Sequence, residues 1–486
     1  MPLRPFALLL VLAVGSPAPG AQTASPSGDG PFTAEAVRAD LADLYETLQE
    51  AHYDLYVYAD SAAYDARYRE ALAAVDGPMT RLDVARLVMP LVAYGDVGHA
   101  RLDFPVADYV AYVTGGGTLL PFDVRVEGDS ENDDSAGTRV FVAHSYADAV
   151  RPGDELVALD GRSAAEWVER LGRYASAERP YLAHAQLETF FPRLLWLDRG
   201  PSEAFEVTLR RGGSDTTFVL PARDALAVEQ AKAEWEAAPQ EREARMLPDG
   251  VAYLRPGPFY AAAEGETVEA FTAFVDGAFR QFVEAGAADL VLDLRGNPGG
   301  DNSFSDPLVA WVADRPFRFT SDYRVRASAE TRRVLAGLAA EDPDGVSARM
   351  LRAMAERADG ERFAFEIPEV EPRADSTFDG RVWALVDRTS FSNATAVAAV
   401  VQDYGFGTVI GEETADLPTS YASSAQFTLP NTGLAVTYPK GYFVRPSGDG
   451  AVRGVVPDVG LERPVAAGAG DAYLDAAVDH VLSQRE

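Results

Sequence analysis

Apolar and polar positions change period along the chain, and each change marks a different kind of element. From Thr33 to about His52, Leu41, Leu44, Tyr45 and Leu48 recur at spacings of three and four, which predicts an amphipathic helix. A second helix is expected from about Ala62 to Val75. A third opens at Thr80 and carries Leu82, Val84, Leu87, Val88, Leu91 and Val92. It must break at Gly95-Asp96-Val97-Gly98-His99, because two glycines fall within five residues. Residues 25–112, which begin with the turn-rich linker Ser-Pro-Ser-Gly-Asp-Gly-Pro, therefore read as a helical domain ending in a glycine-flanked histidine, His99.

Residues 113–225 switch to period two. Phe122-Asp123-Val124-Arg125-Val126, Val140-Phe141-Val142 and Phe205-Glu206-Val207-Thr208-Leu209 predict strands, and the acidic run Glu127 to Ser135 predicts a loop. The string from Val150 to Gly161, with a Pro-Gly-Asp turn before a strand and an Asp-Gly turn after it, resembles a PDZ segment; a helix would follow over Ser163 to Leu171. That resemblance implies binding of extended peptide ends by strand addition, with Gly115-Gly116-Gly117 as the candidate carboxylate loop.

The charged stretch 226–246 is expected to be helical and to lead into the last domain, 226–486, where strands and helices alternate. Val251–Leu254, Asp289–Leu294, Val382–Val386 and Thr408–Ile410 predict strands. Phe271, Phe274, Val275, Phe279 and Phe282 mark an amphipathic helix over Glu266 to Ala285, and another helix is expected from about Ala394 to Tyr404. This alternation argues for an α/β core, interrupted by an acidic helical insertion over 325–375.

Two turns in that core could carry chemistry. Asp293-Leu294-Arg295-Gly296-Asn297-Pro298-Gly299-Gly300 runs from an apolar strand into glycines, which let backbone N–H groups face a bound oxygen without side chains in the way. It lacks the Lys and Ser/Thr of a phosphate loop. Asp387-Arg388-Thr389-Ser390-Phe391-Ser392-Asn393 lies between a strand and a helix. A serine there is either a helix cap or a nucleophile held beside the free N–H groups of the helix start.

Taken together, these turns resemble the C-terminal processing (tail-specific) serine proteases, which also carry the two later motifs found here as Gly411-Glu412-Glu413-Thr414 and Gly454-Val455-Val456-Pro457-Asp458. The resemblance covers roughly 85–485. It implies an α/β core of ββα units of the ClpP/crotonase kind, beside an N-terminal helical unit and a PDZ-like β-rich domain. It places the nucleophile on Ser392, ten residues before Gln402-Asp403-Tyr404-Gly405. It also implies an oxyanion hole from the N–H of Asn393 and an N–H of Gly299 or Gly300, peptide or protein substrates, and no metal or organic cofactor. Where one branch of the family has a lysine base, this chain has Leu417, and its two lysines are Lys232 and Lys440. The tricorn-like branch uses a histidine from N-terminal to the PDZ part, and His99 fits that place. That branch adds a serine before the histidine and a glutamate upstream of Gly-Val-x-Pro-Asp; here the first position is Gly98 and the second falls near Ala451. Asp416 and Asp449 are the carboxylates nearest in sequence that could orient His99. The same core also occurs in repeats that bind apolar ligands, which is the alternative reading.

Composition changes the picture in three ways. A net charge of −32 argues against nucleic acid or anionic lipid as partner. Absence of cysteine removes disulfides, thiolate metal sites and a cysteine nucleophile. At the N-terminus, Arg4, the apolar run Phe6 to Val14 and the small residues Gly15 to Ala21 have the layout of a secretory signal peptide over 1–24. An exported protein, periplasmic or extracellular, with no membrane span after signal removal, is therefore expected.

Overall fold

A computed structural model describes residues 30–128, 137–263, 265–374, 377–465 and 471–485. The expected signal peptide and most of the acidic loop after Glu127 lie outside them.

The C-terminal half is built on a six-stranded sheet in the order Glu243–Met246, Val251–Arg255, Asp289–Asp293, Arg381–Val386, Thr408–Gly411, Val459–Gly460. The first pair is antiparallel and every later pair is parallel. Parallel strands are covered on both faces, so these read as nearly continuous apolar runs. Alternate residues go to opposite sides. Ala252, Leu254, Leu290, Leu292, Ala384 and Val386 pack under the helices Val268–Glu284, Asn302–Val309 and Asn393–Tyr404. Val251, Tyr253, Val291, Trp383 and Leu385 pack under the C-terminal helix Ala472–Ser483. The ends of Asp289–Asp293, Arg381–Val386 and Thr408–Gly411 open on one edge of the sheet, and all three of the turns beyond them carry motif residues.

A second sheet lies beside the first. Its centre is the hairpin Ser420–Thr428 and Ala435–Val444. Asp322–Arg326 pairs with one end of Ala435–Val444, and Arg101–Leu102 pairs with the other. This last pairing fixes the residues just after His99 to the C-terminal half. Within 325–375, helices Ala329–Glu341 and Val346–Met354 lie between the strands Asp322–Arg326 and Arg362–Ala364.

The N-terminal helices run Ala34–Ala51, Ser61–Ala74 and Arg81–Ala93. Thr33, Asp60 and Thr80 each accept a backbone N–H at the first turn. Next comes a β-rich unit with strands Phe122–Glu127, Arg139–Ser145, Glu155–Leu159, Ala204–Arg211 and Ser214–Pro221. Its core is continuous with that of the N-terminal helices and with Phe427, Val436 and Tyr438 of the hairpin. Two features depart from the periodicity reading. The charged stretch after 226 is a helix only over Ala225–Gln240 and then turns into the strand Glu243–Met246. A 20-residue helix, Pro180–Arg199, stands where strands dominate the pattern. It is apolar on several faces because it packs against two clusters at once. Among the described residues no helix is long and apolar enough to cross a membrane.

Candidate active site

Ser392 sits at the corner between the strand Arg381–Val386 and the helix Asn393–Tyr404. The turn is wired to the glycine-rich turn opposite it. Asp387 Oδ1 accepts the Thr389 N–H at 2.9 Å, the Ser390 hydroxyl donates to Leu294 O at 2.8 Å, and the Phe391 N–H donates to Asn297 O at 2.9 Å. These bonds occupy Ser390, which is fully buried. Ser392 is at the cap position, yet its side chain makes no capping hydrogen bond. Its backbone has φ 53° and ψ −119°, a conformation L-residues rarely adopt. A non-glycine residue there costs about 1–3 kcal/mol and persists only where neighbours enforce it. One enforcing contact is Asp416, whose Oδ2 accepts the Ser392 N–H at 2.6 Å.

The histidine arrives from the other half of the molecule. His99 follows a turn with Asp96 at φ 50°, is 5% exposed, and lies face to face with the Phe391 ring at 5.1 Å. His99 Nε2 is 3.5 Å from Ser392 Oγ. The ring's Nδ1 is buried with no hydrogen-bond partner among the described residues. Burial, with the Arg101 guanidinium as a smaller cause, pushes the His99 pKa down to about 3. Gly98 N–H donates to Glu178 Oε1 at 2.9 Å.

The glycines earn their positions by contact. A Cβ on Gly299, at φ 86°, would lie 2.6 Å from Asn393 N and 2.8 Å from Ser392 Cβ; one on Gly300, at φ 140°, would lie 2.1 Å from Phe259 O. The Gly299 N–H donates to Asn297 Oδ1 at 2.8 Å. The N–H groups of Gly300 and Asn393 have no hydrogen-bond acceptor among the described residues.

The later motifs brace this corner. Glu412 accepts from Arg388 (2.7 and 2.9 Å) and from Arg125 (2.7 Å), and these two cations hold its carboxyl at about 2 against burial, which acts the other way. Glu413 Oε1 accepts the Gly454 N–H at 3.0 Å. The Thr414 hydroxyl donates to Asp416 O and accepts the Val455 N–H, both at 2.9 Å. Asp458 accepts from Val409 N at 2.8 Å and from Gln402 Nε2 at 3.0 Å.

The two lysines and Asp449 are elsewhere engaged. Lys440 donates to Ser423 O and Oγ at 2.8 Å and to Ser424 O at 3.3 Å. Lys232 pairs with buried Asp123 at 2.8 Å. Asp449 sits in an exposed turn with its carboxyl on the Ala451 N–H and Arg453. Asp416, by contrast, is 1% exposed, and burial raises its pKa to about 7. Sequence reasoning missed Glu178. It has no motif around it, and only the contact across 80 residues to Gly98 reveals it. Among the described residues no group of three His, Asp or Glu side chains is arranged to hold a metal ion.

Residues 251–461 match the model of peptidase family S41. No curated protein matches the sequence. Among solved structures the chain is similar to mature CPAF complexed with lactacystin, with a TM-score of 0.62 and 14% identity over 93% of this chain and 97% of that one. It is similar to mature CPAF alone at 0.59 and 15% over 88% and 93%. A photosystem II D1 C-terminal processing protease aligns at 0.43 and 16% over 90% and 95%. The CPAF likeness covers more of the chain than the 251–461 matched by the family model.

Proposed function

We propose that this chain, whose residues 251–461 match the model of peptidase family S41, is a serine-type peptidase with Ser392 as its nucleophile and His99 as its general base. The observation that carries the reading is the 3.5 Å approach of His99 Nε2 to a serine that makes no capping bond and is held in a strained turn. Apo sites are commonly loose by a few tenths of an ångström, and such contacts tighten when substrate binds.

Ser392 Oγ attacks the scissile carbonyl carbon while His99 Nε2 takes its proton. The carbonyl oxygen, now an oxyanion, is received by the N–H groups of Asn393 and Gly300, which have no other acceptor among the described residues; Gly299 shapes this corner, its own N–H being held by Asn297. His99 then gives the proton to the leaving amine and the C–N bond breaks. Water, deprotonated by His99, hydrolyses the acyl-enzyme and restores the serine. No step calls on a cofactor. Substrates are peptides or proteins, and the β-rich unit, read as PDZ-like, binds their extended ends. The protein acts after export, in the periplasm or outside the cell. Ser392→Ala should abolish peptide hydrolysis with Tm unchanged. Near-full turnover in the purified, folded variant would move the nucleophile elsewhere.

A further inference from the structure

The pattern of the tricorn-like branch leaves the histidine of this chain without its neighbours. The position before it is Gly98, and the position expected to hold the glutamate falls near Ala451. The site nonetheless contains two carboxyl groups that the reaction does not use, buried Asp416 and half-buried Glu178. Each keeps one hydrogen bond in the site and one oxygen, Asp416 Oδ1 and Glu178 Oε2, buried with no partner among the described residues. Asp416 acts on the serine turn. Glu178 acts on the histidine turn.

Glu178 lies just before the helix Pro180–Arg199, in the β-rich unit, and reaches out of it to the histidine turn of the helical unit. Its Oε1 accepts the Gly98 N–H at 2.9 Å. Its Oε2 occupies the space beside the Gly98 Cα: a Cβ there would lie 2.9 Å from Glu178 Oε2 and 2.8 Å from Leu182 Cδ2. Glycine at 98 and the carboxyl of Glu178 are therefore one arrangement, since a side chain at 98 would displace the carboxyl. The groups that bear on Glu178 are Asp416, from the segment after Thr414; Asp96, from the histidine turn; and Tyr58, from the loop between the first two helices. Burial first, then the Asp416 carboxylate, push its pKa up to about 8. A protonated carboxyl still offers its carbonyl oxygen to Gly98.

Accepting the nucleophile and base assigned above, we propose that Glu178 is the positioning residue for His99. It does not touch the reacting atoms. By binding the backbone N–H directly before His99 it fixes the turn from which the ring projects, and the ring's other support is the face of Phe391. A misplacement of about 1 Å at a reacting group costs on the order of 10²-fold in rate, and that is the scale of the effect.

The test is a set of purified, full-length variants assayed on one peptide substrate, each shown to be folded by its Tm. Wild type must first show turnover that Ser392→Ala removes; without that, the peptidase assignment fails rather than the role of Glu178. Glu178→Ala should lower kcat about 100-fold with KM changed by less than about threefold. Glu178→Gln keeps an acceptor oxygen for Gly98 and should restore kcat to within about threefold of wild type. Gly98→Ala should lower kcat in the otherwise native chain, which keeps the proposal testable if Glu178→Ala does not fold. The double variant should lose no more than the worse single one, because both remove the same contact. The proposal is overturned by a folded Glu178→Ala at wild-type kcat, by Glu178→Gln as impaired as Glu178→Ala, by Gly98→Ala at wild-type kcat, or by losses that multiply in the double variant.

Discussion

The His99 ring is buried against Phe391, and its protonated form has no anion bonded to either nitrogen among the described residues. Burial depresses its pKa from an ordinary 6.5 to about 3. The neutral, base-competent form is then present at every pH above that value. From the residue type alone, one ascending step in the rate is expected at roughly 6–7.5; the structure moves the histidine's step to the acid side of pH 5. A kcat/KM profile rising through a histidine step near 7, lost in His99→Gln, would show that the ring is more exposed than described. His99→Ala itself should cost on the order of 10³–10⁶ in kcat, as losing one member of a catalytic unit does. Lys440 gives the opposite expectation. Its pKa is lowered to about 8 by burial, which would suit a base, but its three hydrogen bonds among the described residues all go to Ser423 and Ser424. Lys440→Ala should therefore keep most activity on a peptide substrate, and a loss of several orders of magnitude would revive a serine/lysine pair.

At the level of elements, the site is a strand–turn–helix corner pressed against a glycine-rich turn and braced from behind. Much of this is local and was legible in the sequence. The turn around Ser392, the glycines at 299 and 300, and the break before His99 each follow from a few adjacent residues. What brings them together is not local. The strand Arg101–Leu102 reaches the hairpin Ser420–Val444 across more than 300 residues, and no period in either segment announces the partner. The helix Pro180–Arg199 is apolar on more than one face, so its amphipathic signal is blurred, and Glu178 just before it carries no motif. The bracing motifs make their own prediction. A Cβ on Gly454 would lie 1.8 Å from Thr414 O, and backbone there cannot simply swing aside as a side chain could. Gly454→Ala should push Thr414 and Asp416 off the serine turn, lowering both Tm and kcat. Unchanged kcat in that variant would separate the motif from the site.

Over the whole molecule, three parts meet at one corner: the helical unit supplies His99, the α/β core supplies Ser392, and the β-rich unit holds both turns. Arg388, four residues before the serine, is 5% exposed and donates to Glu412 of the core and to Glu188 and the Val126 carbonyl of the β-rich unit. Removing one partner of a buried pair costs about 3–5 kcal/mol because the others keep their charge. Arg388→Ala should therefore lower the unfolding free energy in urea by about that much, and a change below about 1 kcal/mol would mark the cluster as solvated. The N-terminal layout predicts a mature chain beginning between Ala21 and Ser25; intact Met1 on protein recovered from the periplasm or medium would contradict export by that route. The central claim is that one serine, activated by one histidine, does the chemistry. Its most direct test is to label the purified protein with a fluorophosphonate and find the modified residue by mass spectrometry. The account predicts a single adduct on Ser392 that forms far more slowly in His99→Ala. An adduct on another serine with Ser392 untouched, or labelling of Ser392 at the same rate without His99, would contradict it.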